Sequence, residues 1–373
     1  MLQTQDLFDA RTGGYHIYRI PGILVTPGGA VLATAEARLG TGGDYDDIDL
    51  LLRRSTDGGL TWDSPRKLIG HERYGPGPMN NCSMIADRLT GAIHLLCCHD
   101  YARVFYLRSE DDGLTFTEPV EITASFEAFR EVFPWRVVAT GPGHALQLES
   151  GRLLVPTWMS TGGGTEFGPG KRGHRPSAIM TLYSDDHGAS WQCGELVAGP
   201  EWGNPSESIA EQLSDGRVIL NIRTEGEYHN RLISISEDGI SGWSEPRPDE
   251  ALLEPICMAG FIRWEGPDGG VQAPALQGKR RFLFANPDNL DKTMSTWAYD
   301  RKRLTVKVSY DECQTWPLSR VLEPGPAGYS DLAVLPDGTI LCLFERGDIE
   351  HMGDVAHLTL ARFDFEWLNT GRE

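Results

Sequence analysis

The sequence predicts an all-β fold, a single six-bladed β-propeller over residues 1–373, and three observations carry that expectation. Glycine and proline are abundant, 43 and 23 of 373 residues, and apolar residues come in short runs rather than helical stripes. Such a composition suits many short strands joined by tight turns. A hairpin pattern recurs along the chain, and an octapeptide of the form S-x-D-x-G-x-x-W follows most of its copies. Repetition on this scale is the mark of a radially repeated β-architecture.

In chain order the hairpins are ILVTPGGAVLATAEA (23–37), MIADRLTGAIHLLCC (84–98), ALQLESGRLLVPTW (145–158), SIAEQLSDGRVILNIR (208–223) and DLAVLPDGTILCLFE (331–345). Each sets a turn glycine between runs of strand-forming residues. GFIRWEG…KRRFLFAN (260–286) is a weaker copy with a longer turn, and brings the expected blades to six. The octapeptides are STDGGLTW (55–62), SEDDGLTF (109–116), SDDHGASW (184–191), SEDGISGW (236–243) and SYDECQTW (309–316). In this turn Asp accepts backbone N–H bonds, Gly takes a positive φ, and the aromatic packs beneath. A strand run precedes each of them, as in IDLLLRRS or LTVKVS. The C-terminal AHLTLARFDFEW (356–367) is expected to close the last blade, helped by N-terminal residues. The longest irregular stretch, TGGGTEFGPGKRGHRP (161–176), reads as a loop, either a lid or a surface insertion. It is no phosphate loop, because Lys171 is followed by Arg172.

The formal net charge of −19 makes nucleic acid and anionic membrane surfaces poor partners. An anionic ligand must therefore be held by local arginines, with the general field screened beyond about 8 Å. Seven cysteines, an odd number without framework spacing, point to free thiols. Cys97-Cys98-His99-Asp100 looks like a metal cluster. On a strand, however, adjacent side chains face opposite ways, so a packing role is expected. The opening MLQTQDLFDARTGG has neither a basic nor an apolar leader region, and no run reaches the roughly 20 apolar residues of a membrane span. A cytoplasmic location is the expectation, or a secreted or periplasmic one if a leader was trimmed.

Function should lie where the repeats differ. Seven residues after each turn glycine stand Glu36, Cys98, Trp158, Arg223 and Glu345. Strand ends near a propeller axis line one funnel, and Arg223 and Glu345 are charges ending the apolar runs VILNIR and ILCLFE. The stretch 18–62 adds Arg19 in YRIP and an acidic, glycine-rich loop with Asp44, Asp46 and Asp47.

Taken together, YRIP, the Asp loop ahead of RRS, the Asp-box octapeptides, SESIAEQLSDGR leading to Arg223, and GYSDL ahead of a Glu resemble the retaining exo-α-sialidases. The resemblance runs from Arg19 to Glu345 and implies the same six blades. It implies that Arg19, Arg223 and Arg301 form a triad that binds the substrate carboxylate. Lys302 and Arg303 stand beside Arg301 and leave that register open. Asp44 is implied as acid/base, with Asp46 and Asp47 as competitors. Tyr329 is implied as nucleophile, paired with Glu207, and Glu345 as the group orienting Arg19. Arg38 resembles an arginine that contacts sugar hydroxyls.

The chemistry fits those residue types. A sialic acid carries a carboxylate on its anomeric carbon, which guanidiniums can hold through charge-assisted bonds. A phenol that gives up its proton as it attacks meets less repulsion from that carboxylate than an acid nucleophile does. The implied partner is a sialylated or other nonulosonic-acid-bearing glycan, and no metal or organic cofactor is needed. Two other readings are a hydrolase of KDN or Kdo, which lack the N-acetyl group, and a non-catalytic propeller binding acidic glycans. Met79, Phe133, Trp135 and Trp158 are candidates for an acetamide pocket.

Overall fold

The computed structural model describes residues 1–264, 280–293, 299–348 and 354–370. They form antiparallel β-sheets that follow one another along the chain. The first sheet runs Ile17–Val25, Val31–Arg38, Ile48–Ser55, Arg66–Ile69. The second holds Met79–Ala86, Ile93–His99, Arg103–Ser109 and Val120–Glu121, with Gly143–His144 added in parallel to its inner edge. The third is built on Leu153–Gly162 and Gly173–Ser184, and the fourth on Ser208–Gln212 through Arg247–Leu253. Contacts between successive sheets close into a ring, with Leu318–Val334 returning onto Ile17–Val25.

Six separate sheets are not what forms. Four blade-like sheets are joined by a seven-stranded one that runs from Gly260–Trp264 to Leu2–Asp9. The reason is one long strand, Leu318–Val334. Its first half pairs with Lys302–Ser309 as far as Pro326, and its second half pairs with Ile340–Asp348 from Ala327 onward. Chain continuity across 326–327 fuses what the hairpin count separates. The turn of the weak sixth hairpin lies outside the described residues. At the C-terminus Val355–Phe363 pairs with Leu2–Asp9, as expected of a closing strand. The chain then leaves the sheet at Asp364, whose side chain accepts from the Trp367 N–H and caps a short helix, Phe365–Asn369.

Four of the five octapeptides make the same turn, and the fifth a shortened form of it. The serine Oγ donates to the Asp at 2.8–3.1 Å in STDGGLTW, SEDDGLTF, SDDHGASW, SYDECQTW and SEDGISGW. Cys313 takes the left-handed position that glycine fills elsewhere, at φ 62°, and still donates its N–H to Ser309. The shortened box closes one residue earlier, on Gly239.

Apolar side chains fill the spaces between sheets. Leu50, Leu52, Met84 and Leu95 join the first and second, and Trp135, Val138, Leu153 and Leu182 lie between the second and third. Cys97 packs into the former cluster and Cys98 into the latter, so the two face opposite ways, as the strand geometry requires. Met79, Phe133 and Trp135 also belong to this packing, which removes them as acetamide contacts.

One polar knot, buried at Asp87 and His94, ties the second and third sheets. Asp87 Oδ2 meets His187 Nδ1 at 2.7 Å and His94 Nε2 at 3.4 Å, while His94 Nδ1 lies 2.8 Å from Tyr106 Oη. Burial pushes the His94 imidazole down to about 4, against the pull of Asp87. An unfolded histidine takes up its proton near pH 6.5. The stability from keeping His94 neutral is therefore complete above that pH and is lost as pH falls toward 4. Its full size is roughly 3 kcal/mol. A melting series from pH 7.5 to 4 should show Tm dropping through that window, with a shallower drop in His94→Gln. Equal slopes in both proteins would refute the assignment.

Candidate active site

At one end of the ring lies a cavity of about 940 Å³. Its wall includes Arg19, Arg38, Asp44, Glu207, Arg223, Arg301 and Tyr329, seven of the eight residues expected at the site. The eighth, Glu345, stands directly behind Arg19.

Arg19 lies on Ile17–Val25 and Glu345 on Ile340–Asp348. Arg19 Nε and Nη2 donate to the two Glu345 oxygens at 3.0 and 3.2 Å. The same carboxylate accepts the Ile20 N–H at 3.2 Å and the Tyr329 N–H at 3.1 Å. Burial alone would raise the Glu345 carboxyl; Arg19, then Arg301 and the Tyr329 N–H, outweigh it and hold it below its usual range.

Tyr329 is buried, and three guanidiniums surround its ring. The carbons of Arg301, Arg19 and Arg223 lie 5.0, 5.2 and 5.9 Å from the ring centre. Tyr329 Oη donates to Glu207 Oε1 at 2.6 Å, and Oε2 lies 2.8 Å away. Arg223 Nη1 reaches both Tyr329 Oη, at 2.6 Å, and Glu207 Oε2. Burial raises the phenol well above its ordinary value; Arg223 opposes that shift and the Glu207 charge adds to it. The hydroxyl is thus protonated at rest and already aimed at a base.

The three acids of the loop take different positions. Asp46 turns inward and accepts from the Thr41 N–H, the Thr41 hydroxyl and the Gly43 N–H, which folds the loop. Asp47 accepts from the Gly77 N–H. Asp44 alone of the three lines the cavity. Its Oδ1 accepts from Arg38 Nη1 at 2.7 Å, and its side chain remains 31% exposed. Burial favours a raised carboxyl, but Arg38, then His174 and Arg19, hold Asp44 well below the usual range. Arg38 is itself buried and shared with Glu36, 2.7 Å from Nη2.

Arg301 and its two neighbours also take different positions. Lys302 pairs with Asp291 and Arg303 is exposed, whereas Arg301 lines the cavity and donates from Nη2 to the Ile256 carbonyl at 2.7 Å. Of the five equivalent strand ends, Glu36, Trp158 and Arg223 reach the cavity. Cys98 stays buried against Thr140, 3.7 Å from its hydroxyl.

The residues 161–176 pack onto the acid loop. Tyr45 Oη donates to the Arg172 carbonyl at 2.7 Å, and Lys171 Nζ to the Tyr45 carbonyl at 3.3 Å. Glu166, Phe167, His174 and Arg175 then line the cavity beside Asp44. His174 lies against Phe167, Tyr101 and Trp158, with ring centres 4.4, 4.5 and 5.0 Å away. This aromatic wall, with Trp158 the one acetamide candidate in it, escaped sequence reading otherwise. Tyr101 sits in a turn and His174 at the start of the strand Gly173–Ser184, with no repeat to mark either.

A ring of sheets carried on Asp-box turns defines a BNR-repeat protein, and the BNR repeat-like domain family matches residues 29–342. The chain belongs to the sialidase family with BNR repeats. It is 30% identical to a sialidase of Micromonospora viridifaciens over 98% of its own length and 54% of that protein's. To a Bacteroides fragilis sialidase it is 26% identical, over 92% of this chain and 61% of that one. It thus spans little more than half the length of these two relatives. Sialidase-3 of Bos taurus is 27% identical over 91% of this chain and is itself covered to 88%. Among solved structures, Hadza microbial sialidase Hz136 superposes with a TM-score of 0.77 at 25% identity, covering 98% of this chain and 69% of that one. Trypanosoma rangeli sialidase shares the fold with a TM-score of 0.75 at 19% identity, over 99% and 60% of the two chains. Among the described residues no helix is long and apolar enough to cross a membrane.

Proposed function

We propose that this protein is an exo-acting retaining α-sialidase, and that the observation carrying this reading is the Tyr329–Glu207 hydrogen bond set among three arginines. Arg19, Arg223 and Arg301 take the substrate carboxylate; each charge-assisted bond contributes about 1.5–3 kcal/mol. Tyr329 Oη attacks the anomeric carbon and passes its proton to Glu207. Asp44 protonates the departing glycosidic oxygen. Water, deprotonated by Asp44, then displaces the phenol, which recovers its proton from Glu207. Two displacements at one carbon leave the configuration retained.

Without substrate Asp44 is charged. Docking a second carboxylate nearby and expelling water both favour its protonation, so substrate itself arms the acid. The Asp44–Arg38 contact orders the acid before substrate arrives. We also read the seven-stranded sheet as two blades sharing Leu318–Val334, giving six blades in one domain over 1–373. Support comes from the apolar cluster of Leu283, Val306, Leu332 and Phe344, which fills the space between its halves as the other clusters fill theirs.

The test is hydrolysis of aryl α-glycosides of N-acetylneuraminic acid, KDN and Kdo, followed by NMR. We expect cleavage of the first, with the α-anomer of the free sugar appearing before the β-anomer. Initial β-anomer excludes the double displacement, and no cleavage of any substrate excludes a hydrolase.

A further inference from the structure

Two isoleucines in the cavity wall adopt the left-handed backbone conformation, Ile20 at φ 56° and Ile256 at φ 62°. A β-branched residue is disfavoured there, so surrounding structure must hold it. For Ile20 the holder is Glu345, which takes its N–H and pairs with Arg19. Ile256 has an equivalent in a second buried carboxylate, Glu254.

Glu254 and Arg231 are 1% and 0% exposed, and Arg231 Nη1 donates to Glu254 Oε2 at 2.6 Å. The other Glu254 oxygen accepts the Cys257 N–H at 2.8 Å, while Arg231 Nη1 donates to the Cys257 carbonyl at 3.1 Å. One ion pair thus grips both backbone polar groups of Cys257. Arg231 is fixed from behind by Asn221, through Nε to Oδ1 at 2.6 Å and Nη2 to the carbonyl at 3.3 Å. Gripped in this way, the turn presents the Ile256 carbonyl to Arg301 Nη2 at 2.7 Å. Among the described residues this is the one hydrogen bond of the Arg301 side chain, whereas Arg19 has a bidentate carboxylate. Ile20, Cys257, Met258 and Tyr329 pack together, which couples Ile20 and the residue after Ile256 to the tyrosine.

We propose that the buried Arg231–Glu254 pair is a positioning unit for Arg301, acting through the Cys257 backbone and the left-handed Ile256. It does for Arg301, by way of a carbonyl, what Glu345 does for Arg19 by direct pairing. The inference rests on the sialidase reading and adds two residues, neither of which touches substrate.

A double-mutant cycle on KM for an aryl α-sialoside tests it. Glu254→Gln should raise KM about tenfold with a smaller change in kcat, and Arg301→Ala should raise it further. Combined, they should be no worse than Arg301→Ala alone within about twofold, since the pair acts through that arginine. Glycine adopts the left-handed conformation freely. Ile256→Gly should therefore recover most of the KM lost in Glu254→Gln, which a merely structural role for the pair does not predict. Should Glu254→Gln fail to fold, Arg231→Met with Glu254→Gln removes both charges and leaves no lone buried ion. Multiplicative effects on KM, or no rescue by Ile256→Gly, overturn the proposal. A wild-type protein that neither binds nor cleaves the sialoside removes the sialidase reading itself, and this inference with it.

Discussion

Tyr329→Phe is expected to bind sialosides nearly as well as the wild type and to lose turnover by about a thousandfold or more. The phenyl ring keeps its packing against Ile20, Cys257 and Met258, so the cavity floor survives. The guanidiniums of Arg19, Arg223 and Arg301 keep their places around the ring. What disappears is one oxygen, the atom 2.6 Å from Glu207 that is proposed to form the bond to the anomeric carbon. Losing a group that acts only in the transition state lowers kcat and kcat/KM together. A second consequence separates this reading from a purely electrostatic one. With no phenolic oxygen to attack, residual turnover by direct attack of water would be a single displacement and would invert the anomeric centre. The measurement is kcat and KM on an aryl α-sialoside with NMR of the product. Activity within tenfold of wild type, still retaining, would sink the nucleophile assignment.

What could be read in the sequence was what is local. The Asp-box turns form because Ser, Asp and a left-handed residue lie within five positions, so each is legible without knowledge of the rest. Even Cys313 obeys the turn at φ 62°. Arg223 and Glu345 were legible because each ends a strand run at a repeated offset, whereas Arg19 and Tyr329 stood out through the motifs YRIP and GYSDL. The fusion of two blades was not, because it depends on whether backbone pairing persists across 326–327. Nor was the aromatic wall of Tyr101, Phe167 and His174, which a turn of the second sheet and the 161–176 segment assemble. Nothing in the sequence singles out Arg231 and Glu254; their complete burial does. Asp44, Asp46 and Asp47 show the limit from the other side. Sequence narrows the acid to one loop, and hydrogen bonds to Thr41, Gly43 and Gly77 then decide which carboxyl is left facing the cavity.

Replacing that carboxyl gives the second large effect, and its form depends on the leaving group. Asp44→Ala should slow hydrolysis of a sialylated oligosaccharide by about 10²–10⁴-fold, the usual contribution of a positioned acid or base. A sugar alkoxide leaves poorly without a proton, so the first displacement is the step that suffers. A p-nitrophenolate leaves without help, so with that substrate the first displacement should stay fast. The second still needs a base to activate water, and Asp44 is the proposed base. The variant should therefore release a burst of nitrophenol close to one equivalent per active site and then nearly stop, with the sugar held on Tyr329. Intact-protein mass spectrometry should show the added glycosyl mass, and peptide mapping should put it on Tyr329. Asp46→Ala provides the contrast. Its carboxylate folds the loop through Thr41 and Gly43, so its loss should weaken turnover of both substrates alike, without a burst. A burst from Asp46→Ala and none from Asp44→Ala would exchange their roles. Equal slowing of both substrates by Asp44→Ala, with no adduct, would mean that Asp44 orders the site through Arg38 and transfers no proton.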